Sequence, residues 1–97
     1  MTNRVSTIHD IRYGMIVSRL IEIRKRANLS QKDLAQRLNL TQPDISKIER
    51  LERRLDILEF LDWLNVIAEG DIQLFNQLWN EINECYGKSQ SCRRNIG

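Results

Sequence analysis

Apolar positions recur along the chain at helical spacings and nowhere alternate over a useful length, which predicts an all-α protein. Ile16, Leu20, Ile23 and Ala27 fall at spacings of four, three and four. They make one face of a first helix that Asp10 opens as N-cap and Asn28 stops. Ser30 opens a second helix, with Asp33 in the acidic place of a capping box. Its inward face is Leu34, Ala35 and Leu38, and Asn39 ends it, since Asn tolerates the left-handed conformation of a helix stop. Thr41 and Asp44 repeat the cap signature for a third helix, and Pro43 falls in its first turn, where a backbone N–H lacks an intrahelical partner anyway. There Ile45 and Ile48 point inward, leaving Gln42, Asp44, Ser46, Lys47 and Arg50 facing out.

A loop near Arg53–Leu55 leads to a fourth helix capped by Asp56 with Glu59. Its expected buried stripe is Ile57, Phe60, Leu61, Leu64, Ile67 and Ala68, and Gly70 ends it. Asp71 caps a fifth, which carries Ile72, Phe75, Leu78, Trp79, Ile82 and Tyr86. The expected division is a flexible leader over 1–9, a main helical domain over 10–69, a C-terminal helix over 70–87 and a disordered basic tail over 88–97.

The second and third helices are separated only by Asn39, Leu40 and Thr41, the spacing of a helix-turn-helix. Ala35 is small where the helices cross, Leu40 plugs the turn, and the polar start of the third helix is left to enter a major groove. The run from Gln31 to Glu49 resembles the Xre/Cro type of helix-turn-helix, the phage-repressor family, through Gln31, Ala35, Leu40, Ile45, Ile48 and Glu49. The likeness extends over residues 8–68, and Glu52-Arg53-Arg54-Leu55-Asp56 resembles a bacterial subgroup of small regulators. It implies a compact all-α bundle of four or five helices of the lambda-repressor-like type. The third would be the recognition helix, acting in a homodimer on a palindromic operator. Leu51 departs from the family, which prefers Gly after the recognition helix. A Leu is unfavourable in a left-handed conformation, so the third helix is expected to run past Leu51 or the loop to take another path.

At 97 residues the chain is one domain, with one modest core. The net charge of +2 hides an asymmetry. Residues 1–55 carry twelve Lys and Arg against six Asp and Glu, residues 56–86 seven acids and no base, and residues 87–97 three bases. A basic half beside an acidic half suggests one surface that meets a polyanion and another turned away from it. His9 is the sole histidine, and no Gly-rich phosphate loop or nucleophile elbow is present, so neither an enzyme nor a metal site is expected, and no cofactor. No apolar run suggests a membrane span or signal peptide, and a cytoplasmic protein is expected. Cys85 and Cys92 make no disulfide framework; the first should pack as a small hydrophobe and the second be an exposed thiol.

The expected partner is double-stranded DNA. Gln42 suits an adenine edge, Lys47 a base or a phosphate, and Gln31 matches the family residue that holds backbone phosphate. Thr41, Asp44 and Ser46 complete the exposed start of the helix, while Arg50, Arg53 and Arg54 flank it and suit phosphates. The resemblance also implies an ion pair between Arg24 and Glu49. Each follows an inward isoleucine, so the two can meet at the seam of their helices. The fifth-helix stripe either completes the monomer core or covers a partner; its breadth favours a dimer interface of Ile72, Phe75, Leu78, Trp79 and Ile82. Two alternatives stay open: an antitoxin-like autoregulator that binds a second protein, and an interaction module that keeps the fold without binding DNA.

Overall fold

The computed structural model describes the backbone of residues 7–94 and the side chains of residues 8–88. After a 3₁₀ turn at Thr7–His9 come five helices: α1 (Ile11–Arg26), α2 (Gln31–Leu38), α3 (Gln42–Glu49), α4 (Ile57–Ala68) and α5 (Ile72–Arg94). No strand occurs among the described residues. Three N-termini close reciprocal capping boxes: Ser30 with Asp33, Thr41 with Asp44, and Asp56 with Glu59. Each satisfies two backbone donors that the helix cannot.

The C-termini reverse through left-handed residues at Asn28, Asn39, Leu51 and Glu69. Leu51 overturns the expectation of a longer third helix or a rerouted loop. At φ +63° it stands where Gly is usual, and α3 ends at Glu49. Two bonds form the turn: Leu51 N–H to the Ile48 carbonyl at 3.0 Å and Glu52 N–H to the Lys47 carbonyl at 2.8 Å. That is a Schellman closure, costing about 1–2 kcal/mol in a non-glycine residue. The half-buried Leu51 side chain lies against α1 at Gly14, where an added Cβ would stand 3.7 Å from its Cδ1. Partial burial of this side chain beside α1 works against the strain of the backbone.

One core runs through all five helices: Leu20 and Ile23 from α1, Leu34 and Ala35, Ile45 and Ile48, Trp63, Leu64 and Ala68, and Leu78 and Ile82. The stripes differ from the sequence reading in three places. In α1, Val17 is buried and Ala27 is an exposed cap. In α4, Trp63 is fully buried and its indole N–H donates to the Leu20 carbonyl at 3.3 Å, while Ile57 and Leu61 are exposed. In α5, Leu78, Ile82 and Cys85 face inward, whereas Ile72, Trp79 and Tyr86 are exposed. Leu78 and Ile82 therefore belong to the monomer core and cannot form part of a free interface. Helix α5 also continues through Arg94, beyond the stop expected at residue 87. It is tied along α1 by Arg26–Glu81 at 2.7 Å and by Cys85 Sγ donating to the Met15 carbonyl at 3.3 Å. Cys92 lies outside the described side chains.

Candidate nucleic-acid interface

Helices α2 and α3 are joined by the turn at Asn39, where Leu40 N–H reaches the Ala35 carbonyl at 2.9 Å. Ile45 and Ile48 are wholly buried, so the opposite side of α3 faces solvent. Four side chains along this seam form a relay. Arg24 grips Glu49 with two bonds, Nε to Oε2 at 2.7 Å and Nη2 to Oε1 at 3.0 Å, and its Nη1 donates to the Leu29 carbonyl at 2.9 Å. Gln31 Nε2 donates to Glu49 Oε1 at 2.9 Å, and Gln42 Nε2 donates to Gln31 Oε1 at 2.7 Å. The Arg24 and Glu49 side chains are only 8% and 7% exposed, which makes this a buried pair rather than two solvated charges.

The order of donors in the relay follows from chemistry. A carboxylate only accepts, so Gln31 must turn its amide nitrogen to Glu49 and its oxygen to Gln42. Gln42 then gives one N–H to Gln31 and keeps its amide oxygen and a second N–H for the outside. Gln31 thus has a partner on either side, where the sequence suggested only a phosphate contact.

Other expected site residues divide by what already holds them. Thr41 and Asp44 are bonded to each other: Asp44 Oδ2 accepts from the Thr41 N–H at 3.1 Å and its hydroxyl at 2.9 Å. Those bonds, with smaller help from Arg53 and Lys47, hold the Asp44 carboxyl below its usual range. This carboxylate therefore serves the helix cap, which accounts for an acid among the polar residues at the start of α3. Arg50 donates to both oxygens of Glu52 at 3.1 Å and to Ser46 Oγ at 2.6 Å. Arg53 forks onto Glu59 at 3.0 and 2.9 Å. Lys47 and Arg54 are exposed.

Two participants escaped the sequence reading. Tyr13 Oη accepts the Leu55 N–H at 2.9 Å and so pins the loop after α3 to α1. Glu59, read only as a cap, also holds Arg53. No local spacing signals the first, because the partners lie 42 residues apart. The second was visible as an acid six positions after an arginine, without a reason to join them.

Among the described residues no cluster of side chains could hold a metal ion, and no helix is long and apolar enough to cross a membrane. A search among curated proteins finds no match for the chain. A family model described as helix-turn-helix matches residues 20–68, just over half of the chain and the whole span from mid-α1 to the end of α4. With its two short helices, tight turn and exposed polar α3, this chain belongs to the Xre/lambda-repressor-like helix-turn-helix family of DNA-binding regulators.

Proposed function

We propose that the protein is a transcriptional repressor that binds a palindromic operator as a homodimer, with α3 as recognition helix. The observation that carries this reading is the relay from Arg24 to Gln42. It fixes the polarity of an exposed amide before any base arrives. The free oxygen and N–H of Gln42 match the N6 donor and N7 acceptor of adenine in the major groove. Lys47 and Arg54 are exposed and available to phosphates. Arg50 reaches DNA only by leaving Glu52, and Thr41 and Asp44 act on the helix start rather than on bases.

Selection of bound sites from random duplex DNA tests the reading directly, and enrichment of a two-fold sequence is the expected result. Gln42→Ala should then weaken binding to the selected site by about 1–3 kcal/mol and relax preference at one base pair per half-site. A Gln42→Ala protein with unchanged affinity and unchanged base preference would remove this residue from the reading set.

The dimer reading draws on a surface that only partly overlaps the one the sequence suggested. Ile57, Leu58 and Leu61 on α4 and Ile72 and Trp79 on α5 are exposed apolar side chains. Trp79 stacks at a tilt on Phe60, with ring centroids 5.9 Å apart. Phe60, Ile57, Tyr13 and Ile16 line a shallow groove of about 290 Å³ beside it. Of the interface residues expected from sequence, Ile72 and Trp79 remain available and Phe75 is half-buried. Trp79→Glu and Leu61→Glu should each give monomers by sedimentation with the fold intact. A dimer that survives both substitutions would place the interface elsewhere. The same apolar face is what an antitoxin-like autoregulator would offer a second protein. In that case the chain alone sediments as a monomer before any substitution.

A further inference from the structure

We propose that Arg53 is a positioning residue, a staple that holds the start of α3 against the start of α4, and not a phosphate anchor. The proposal rests on α3 being the recognition helix and adds a residue that sets how its reading end is held.

Three features of Arg53 carry it. Its backbone N–H bonds the Lys47 carbonyl at 3.3 Å, so the main chain sits at the C-terminal turn of α3. Its side chain nevertheless runs back to the other end of that helix, where Nε lies 3.9 Å from Asp44 Oδ1. The guanidinium then forks onto both oxygens of Glu59 at 3.0 and 2.9 Å, and Nη1 also donates to the Arg54 carbonyl at 3.1 Å.

Asp44 and Glu59 occupy the same place in two capping boxes: each is the third residue of its helix and each bonds the N-cap N–H. One cation therefore joins two caps. It also separates two carboxylates that repel each other, since Asp44 pushes the Glu59 carboxyl up while Arg53 is the main influence holding it down. A phosphate would have to compete with a bidentate carboxylate for this guanidinium, and winning would leave both acids facing the DNA.

A fork needs a planar guanidinium; a phosphate anchor needs only a charge. Arg53→Lys keeps the charge and loses the fork. Binding to the selected duplex should fall about tenfold, the size of one broken side-chain coupling. Its salt dependence should be unchanged, and preference at the base pair read by Gln42 should broaden. Glu59→Gln preserves the cap and should weaken binding in the same direction. If Arg53 anchors phosphate instead, Lys should rescue most of the affinity, and Glu59→Gln should bind as tightly as the parent or more so.

Amide exchange without DNA separates failure of this proposal from failure of the recognition-helix reading. In the Arg53→Lys protein the Ile45 and Phe60 amides, one turn into α3 and α4, should both exchange faster while the buried Leu20 amide is unchanged. Unchanged exchange at both helix starts overturns the staple, whatever the DNA result. Faster exchange in a protein whose parent selects no duplex leaves the staple standing and overturns the recognition-helix reading.

Discussion

Arg24→Met should cost about 3–5 kcal/mol of stability, because it leaves a buried carboxylate without its cation. Glu49 is 7% exposed at its side chain, and its remaining partner is the neutral amide of Gln31. The Leu29 carbonyl, in the loop between α1 and α2, loses a donor in the same substitution. For a domain of this size the midpoint of thermal unfolding should drop by on the order of 20 °C. An exposed pair would be worth about 0–1 kcal/mol, so a loss below that would show the pair to be solvated. Adding Glu49→Leu in the Arg24→Met background removes the stranded charge, and much of the stability should return. DNA discrimination should not return, because Gln31 then has no carboxylate to fix its amide and Gln42 can present either polarity. Recovery of both properties together would mean that the relay does not govern the reading amide.

The sequence shows much of this arrangement and hides a definite part of it. Helix starts were legible because capping is local: Ser30, Thr41 and Asp56 each have an acid three residues on, and all three boxes close. Asn28 and Asn39 were legible as stops for the same reason. Leu51 was misread because its side chain is half-buried beside α1 near Gly14, a neighbour 37 positions away that no local rule reaches. In α4 the apolar residues cover more than half the circumference, so periodicity could not choose the buried side, and in α5 they form one broad stripe whose Ile72, Trp79 and Tyr86 edge is left exposed. Tertiary packing chose Trp63 over Ile57 and Leu61 and left Tyr86 exposed, while Cys85 packs as the small hydrophobe its sequence suggests. At the face proposed to meet DNA, residue types alone identified the polar surface of α3. They could not tell a cation facing solvent, such as Lys47, from one already held by an acid, such as Arg53 or Arg50.

Trp63→Ala is the core substitution with the largest expected cost, about 3–5 kcal/mol. The indole is fully buried where α4 meets α1, and its volume is shared by the cluster that holds all five helices. Removing it leaves a cavity walled by helices that share one core, and α1 is further held to α3 by the buried Arg24–Glu49 pair, so the site cannot collapse freely. Trp63→Phe separates the two contributions. It removes the N–H bond to the Leu20 carbonyl and part of the volume, and should cost about 1–2 kcal/mol. Both variants should be read by denaturant unfolding with the slope unchanged, so that the difference reflects the folded state. The consequence for DNA follows from where α4 begins: its first turn carries Glu59, which holds Arg53 beside the start of α3. A Trp63→Ala protein that still folds at low temperature should therefore bind its site more weakly than Trp63→Phe, even when both are compared under conditions where each is fully folded. Equal stability of the two variants would show that the indole contributes little packing and that the core closes around Leu64 and Ala68 without it.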